Sequence, residues 1–281
     1  MQHYELIGHP LGHSLSPEIH RALFKLDGID ADYRLDAFPP EDFSSRLTHL
    51  KQLSGFNVTI PYKRTIVPYL DELADSAALY GAVNTVSIRD GILTGCNTDC
   101  IGFLRAISAH HISLNTSVCV LGAGGAGRMF AIESARQGGN VTVAVRKSSY
   151  EKAEVLAKEI REKIGCEITV CDIENLTGCY GLIINATPVG MSPKTGRSPV
   201  DATIFQGTEA VFDCIYNPAE TQLLKDARKA GCKVAGGMDM LVWQAAAAHE
   251  IWHGSQYEDA QIAGIITQMN DLLLKKERPN E

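Results

Sequence analysis

The apolar run Val118-Cys119-Val120-Leu121 passes directly into Gly122-Ala123-Gly124-Gly125-Ala126-Gly127, and no other segment limits the possible folds as strongly. A short strand that turns at once into a helix is the first half of a strand–helix–strand unit, which builds parallel sheets. The alternation continues through Val141–Val145, a helical run over Tyr150–Ile164, and apolar stretches at Ile168–Val170, Leu182–Asn185, Val211–Asp213 and around Val234. The six residues from Gly122 to Gly127 read G-x-G-x-x-G between a strand and a helix. Small residues there let the backbone approach a pyrophosphate, whose charge the amides at the helix N-terminus hold. A tight strand-to-helix turn would also use glycines, but the two flanks favour a dinucleotide site.

The end of the following strand narrows the choice of dinucleotide. NAD-binding domains carry an acid there, about 20 residues after the glycines, to accept from the ribose 2'-hydroxyl. This chain has Arg146 and Lys147 instead. Two cations neutralise a 2'-phosphate, and a guanidinium also stacks on adenine, so NADP is favoured over NAD. Solvated charges at a strand end are the plainer alternative.

The first hundred residues alternate differently. Strands are expected near Tyr4–Gly8, Tyr33–Phe38 and Phe56–Ile60, helices from Pro17, from Glu41 and over Asp71–Tyr80. A hairpin is expected to join Val83–Ile88 to Ile92–Cys96 through Asp90-Gly91. Within Asn57-Val-Thr-Ile-Pro-Tyr-Lys63, alternation puts Asn57 and Thr59 on one strand face. Pro61 then ends the ladder and lets Lys63 project beyond it. Upstream, Pro17 suits the first helical turn and Ser16 the N-cap. A second hydroxyl, Ser14, has no capping role and makes this helix start a carboxylate receptor. Asn84-Thr85 and Asn97-Thr98-Asp99 add short polar groups, Asp99 being either a functional carboxylate or the cap of the helix from Cys100. After Gly237, helices are expected over Met240–His253 and Asp259–Lys275, followed by a frayed tail from Lys276 to Glu281.

Length and composition set the outer limits. At 281 residues the chain is expected to form two domains, and 45% hydrophobic content suits globular cores. A net charge of -7 without a basic run argues against nucleic acid as a partner. No stretch is apolar enough to span a bilayer, and Met1–Pro10 lacks the order of a signal peptide, so a cytoplasmic protein without membrane association is expected. The eight cysteines are scattered without C-x-x-C pairs, as reduced core thiols would be.

These residues, together with Gly81-Ala-Val-Asn84-Thr85, Gly95-Cys-Asn-Thr-Asp99-Cys-Ile-Gly102, Asn185-Ala-Thr-Pro-Val-Gly-Met191, Asp213-Cys-Ile-Tyr216-Asn-Pro218 and Gly237-Met-Asp-Met240-Leu-Val-Trp-Gln244, closely resemble the shikimate dehydrogenase family, its quinate/shikimate relatives included. The resemblance covers almost the whole chain. It implies an α/β enzyme of two domains. Residues 1–101 with 237–281 would form a mixed α/β substrate-binding catalytic domain, to which the C-terminal helices return. Residues 102–236 would form a Rossmann-type parallel-sheet domain for NADP.

The implied reaction is the reversible NADPH-dependent reduction of 3-dehydroshikimate to shikimate, a step of aromatic amino-acid and chorismate biosynthesis. Ser14 and Ser16 would hold the ring carboxylate. Thr59, Asn84 and Gln244 would surround the ring hydroxyls, Tyr216 would approach the substrate, and Asn57 would support the set. Lys63 and Asp99 would be the catalytic pair, because an alcohol losing hydride must also lose its proton and a lysine beside a carboxylate can carry it either way. On the cofactor side stand Gly122, Ala123, Gly124, Gly125, Ala126, Gly127, Arg146, Lys147, Thr187, Cys214, Gly237 and Met240. Met240 lies one helical turn before Gln244. The family's NADP-using members commonly carry Asn-Arg-Thr where this chain has Val145-Arg146-Lys147, so NAD stays open as cofactor, and quinate as substrate. A monomer or homodimer is expected.

One competing motif remains. His249-Glu250-Ile-Trp-His253 reads H-E-x-x-H on a helix, the spacing of a zinc hydrolase. The family pattern places an ordinary helix here, with its histidines at the surface and no metal.

Overall fold

The computed structural model describes residues 1–12 and 14–277. Its elements run in chain order β1 (Gln2–Gly8), α1 (Ser16–Asp27), β2 (Ala31–Ala37), α2 (Phe43–Leu50), β3 (Gly55–Val58), β4 (Glu72–Leu73), α3 (Asp75–Tyr80), β5 (Thr85–Arg89), β6 (Ile92–Cys96) and α4 (Asp99–Ala109). They continue with β7 (Ser117–Leu121), α5 (Gly125–Arg136), β8 (Asn140–Val145), α6 (Tyr150–Ile164), β9 (Thr169–Asp172), β10 (Leu182–Asn185), β11 (Ala210–Asp213), α7 (Gln222–Lys229), β12 (Lys233–Gly236), α8 (Gly237–His253) and α9 (Asp259–Glu277). The contacts divide the chain into two units. One holds Met1–Gly102 and Leu241–Met269, the other Phe103–Met240 with the end of α9 from Asn270.

The first unit is built on a mixed sheet of order β2-β1-β3-β5-β6-β4. Strand β1 shows why the sheet needs cover on both faces. Tyr4 and Leu6 enter a cluster with Phe24, Tyr33 and Trp252, whereas Ile7, of opposite parity, enters another with Phe43, Leu50, Phe56 and Tyr62. Asp90 and Gly91 both adopt positive φ, 52° and 79°, which gives the β5–β6 hairpin a turn whose twist matches its strands.

The structure departs from expectation at several points here. Strand β3 ends at Val58, so Thr59 lies beyond the strand it was expected to share with Asn57. The helix expected from Asp71 begins only at Asp75, because Glu72 and Leu73 pair in parallel with Thr94 and Gly95 as β4. A two-residue strand has no periodicity of its own; its partner creates it.

The second unit is an all-parallel sheet of order β12-β11-β10-β7-β8-β9. Leu121, Ile183, Val211 and Leu223 pack on one face, while Phe103, Phe130 and Phe212 interlock in one aromatic cluster. Strand order reverses at β7, whose neighbours are β10 and β8, and such a switch point is where ligands of open parallel sheets bind. Not every crossover is helical as the alternation suggested. β9 leads to β10, and β10 to β11, with only short 3-10 turns at Ile173–Asn175 and Ala202–Phe205. Pro188, Pro193, Pro199, Gly190 and Gly196 exclude an α-helix from the longer connection. Helix α9 extends through Glu277, and the rest of the expected tail lies outside the described residues.

All eight cysteines are free, with Cys96, Cys100, Cys119 and Cys232 buried. No helix among the described residues is long and apolar enough to cross a membrane.

Candidate functional site

In the mixed-sheet unit, the turn after β3 and the start of α4 converge on one ion pair. Lys63 Nζ lies 2.5 Å from Asp99 Oδ2, with both side chains more than two-thirds buried. The other carboxylate oxygen, Oδ1, accepts from Asn84 Nδ2 at 2.9 Å, so Asp99 is held from two sides. Its orientation does not come from capping. The Asn97 side-chain oxygen accepts the backbone N–H groups of Asp99 and Cys100, at 3.1 and 3.4 Å. Asn97 thereby takes the role that Asp99 might have had and leaves the carboxylate to Lys63.

Asn84 is the hub of this site. Its Nδ2 also donates to Thr98 Oγ1 at 2.9 Å and, more weakly, to Gln244 Oε1 at 3.3 Å, while its Oδ1 accepts the Thr98 N–H at 2.7 Å. Asn57 stands behind it. Its Oδ1 accepts from the buried Tyr33 hydroxyl at 2.7 Å, and its Nδ2 donates to Thr85 Oγ1 and the Asn84 carbonyl at 2.9 and 3.1 Å. These bonds tie Asn57 to the Thr85 hydroxyl and the Asn84 carbonyl.

Ser14 and Ser16 pair with each other, Oγ to Oγ, at 3.1 Å. The cap expected of Ser16 is not made by its side chain. Ser16 is the first helical residue and makes no side-chain cap, whereas Ser14 Oγ accepts the Ser16 N–H at 3.2 Å. Pro17 explains the shift, since it fills the first turn without needing an N–H partner. Among the described residues, no side-chain hydrogen bond joins this serine pair or Thr59 to the network around Asn84.

The parallel-sheet unit builds its candidate site from backbone. Gly122 has φ +100°, and a Cβ at Gly127 would stand 2.0 Å from the Gly122 carbonyl oxygen, so the helix can meet the turn this closely only as glycine. At Gly124 and Gly125 a Cβ would instead meet open space. Helix α5 starts at Gly125 with no side-chain cap, and its first intrahelical bond is Arg128 N–H to the Gly124 carbonyl. Three amide groups, of Gly125, Ala126 and Gly127, therefore remain available to an anion, and this cradle fits a dinucleotide pyrophosphate. Thr187 joins it, with its Cγ2 3.1 Å from where a Gly122 Cβ would be. Arg146 and Lys147 are exposed just past the end of β8.

A buried chain fixes the neighbouring strand ends. Asp213 accepts from Asn185 Nδ2 at 3.0 Å and from Thr221 Oγ1 at 2.7 Å, and Asn185 Oδ1 in turn accepts from Thr187 Oγ1 at 2.7 Å. Burial raises Asp213 to about 6 despite those bonds. The adjacent Cys214 thiol is pushed up to about 12, chiefly by burial, and burial also raises Tyr216. A thiol so protonated is a poor nucleophile. Gly237 and Met240 lie in the first two turns of α8.

The H-E-x-x-H segment differs from its expected surface position. His249 is fully buried, with Nδ1 2.8 Å from Asp27 Oδ2 and Nε2 3.1 Å from His20 Nδ1. His253 Nε2 meets the Tyr4 hydroxyl at 3.2 Å. With both of its ring nitrogens engaged, His249 offers no free lone pair to zinc, and the hydrolase reading loses one of its two histidine ligands. Burial drives the pKa values of His20 and His249 below the usual range. Helical periodicity hid this core, because an alanine run, Ala245–Ala248, gives α8 no polar face against which to set its histidines.

Thr98, Thr85 and Tyr33 are the structural partners that sequence reasoning passed over. The first two lie inside quoted motifs and were legible there as hydroxyls beside asparagines. Tyr33 was not, since its partner is 24 residues away on another strand.

Residues 6–86 match the model of the shikimate dehydrogenase substrate-binding domain. The NADP(+) shikimate dehydrogenase of Methanocaldococcus jannaschii is 42% identical over 257 residues, covering 89% of this chain and 90% of the relative. Among solved structures, the shikimate 5-dehydrogenase of Thermus thermophilus in complex with NADP(H) and shikimate superposes with a TM-score of 0.86 at 34% identity, covering 95% of this chain and 99% of that one. The Listeria monocytogenes shikimate 5-dehydrogenase bound to shikimate and NAD gives 0.85 at 33% identity, covering 95% and 96%.

Proposed function

Since this chain belongs to the shikimate dehydrogenase family, we propose that it catalyses the reversible NADPH-dependent reduction of 3-dehydroshikimate to shikimate. The observation that carries the proposal is the Lys63–Asp99 pair, held by Asn84 next to Gln244.

In this reading residues 1–101 and 237–281 form the substrate domain and residues 102–236 the nucleotide domain. Ser14 and Ser16 hold the ring carboxylate. Thr59, Asn84, Gln244 and Tyr216 contact the ring and its hydroxyls, with Asn57 in support. NADPH, bound along Gly122–Gly127 with Arg146, Lys147, Thr187, Cys214, Gly237 and Met240, supplies the hydride. As charge develops on the substrate oxygen, the Lys63 ammonium stabilises it and then gives up a proton to it. Asp99 fixes the ammonium in place and balances its charge between turnovers. In oxidation the same lysine, deprotonated, accepts the hydroxyl proton. We also place the enzyme in the cytoplasm, as a monomer or homodimer.

The test is a steady-state assay crossing shikimate and quinate with NADP and NAD. Shikimate with NADP is expected to turn over fastest. Absence of turnover with shikimate under either cofactor would overturn the proposal.

A further inference from the structure

The carboxyl end of β9 carries a group to which the proposed function gives no task. Asp172 is in register with Val145, so it stands beside the strand end that leads into Arg146 and Lys147. Its side chain is only 8% exposed. Oδ1 accepts the Glu174 N–H at 3.1 Å and caps the short helical turn that follows. Oδ2 is buried and has no hydrogen-bond partner. Lys147 Nζ is 4.0 Å from it, beyond hydrogen-bond reach, on a side chain 82% exposed.

Capping needs an oxygen, which serine or asparagine would supply without a charge. A buried carboxylate with an unpartnered oxygen is costly, and its field is less screened than that of a surface acid. In NAD-selective sheets the acid sits at the end of the second strand. Here that strand, β8, ends in two cations, and the acid stands one strand further out, on the sheet edge.

We propose that Asp172 determines dinucleotide specificity: its charge offsets that of Lys147 and opposes the 2'-phosphate, lowering the preference for NADP over NAD. This rests on the nucleotide role proposed for the parallel-sheet unit. Neutralising Asp172 leaves Arg146 and Lys147 uncompensated toward a 2'-phosphate and does little to a ribose hydroxyl.

The test is calorimetric binding of NADP+ and NAD+ to the full chain and to its Asp172→Asn and Asp172→Ser variants, which both keep a capping oxygen. Thermal melting of each variant checks that the fold is retained. Affinity for NADP+ is expected to rise about fivefold, the scale of one charge acting across several ångströms of partly screened medium, with little change for NAD+. An unchanged or reduced NADP+ to NAD+ ratio in both variants, with both dinucleotides still bound, overturns the proposal and leaves the enzymatic reading standing. Wild-type protein that binds neither dinucleotide overturns the enzymatic reading itself.

Discussion

The two sheets of this chain build polar sites by opposite means. On the mixed sheet the site is made of side chains bonded to one another, so that Lys63, Asp99, Asn84 and Gln244 each depend on a neighbour's orientation. On the parallel sheet it is made of backbone, where Gly122 and Gly127 act by lacking side chains. Side-chain sites can place a proton donor at a chosen atom, because a charged group can be swung into position and locked. Backbone sites hold charge without titrating, because amides keep their protons at any physiological pH. A dehydrogenase needs both, a titrating group for the alcohol and a fixed anion receptor for the cofactor.

The largest expected effect breaks the first site and spares the second. Lys63→Ala is expected to lower kcat about 10²- to 10⁴-fold, the usual worth of a positioned acid–base group, while calorimetric NADP+ binding stays at the wild-type level. If turnover survives intact, the proton passes through another group. The converse substitution is Gly127→Ala. A Cβ there meets the Gly122 carbonyl at 2.0 Å, so the turn must shift. We expect a loss of about 2 kcal/mol in stability by urea unfolding, together with weakened NADP+ binding and an unaltered Lys63–Asp99 pair.

The smallest effect concerns acid. His20 and His249 have depressed pKa values in the folded chain, so the unfolded chain takes up protons first and their unit loses stability as pH falls below the ordinary histidine value of 6.5. Asp213 acts in the other sense. Its pKa is raised from 3.8 to about 6, so the stability linked to its protonated form is present at low pH and fades as pH rises through about 6. Hydrogen exchange between about pH 7 and about pH 5, corrected for intrinsic rates, should therefore show protection falling around α1 and α8, which carry His20 and His249, while β10 and β11 hold or gain. Parallel loss in both units would remove this distinction.

How much of this was legible depended on distance along the chain. The glycine cradle, the β5–β6 hairpin turn and the cations after β8 follow from contiguous residues, whose backbone preferences act locally. Lys63 and Asp99 were legible as a pair only through the family pattern, since 36 residues separate them. That Ser14 rather than Ser16, and Asn97 rather than Asp99, meets an amide at a helix start turned on which of two nearby oxygens reaches it. Residue type leaves that undecided, and local geometry settles it. The burial of His249 was opposite to its expected exposure, because the helix face it occupies becomes interior only when Asp27 and His20 close over it.

By itself, then, the sequence determined the α/β class, the parallel sheet from Ser117 onward and the glycine turn into a helix at Gly122–Gly127, because strand period, glycine and helix start are properties of neighbouring residues. Only the tertiary structure decided which polar groups share hydrogen bonds. It made β4 a strand, Asn84 a hub, His249 a core residue and Asp172 a buried acid beside Lys147, because each depends on partners that the chain brings together only after it has folded.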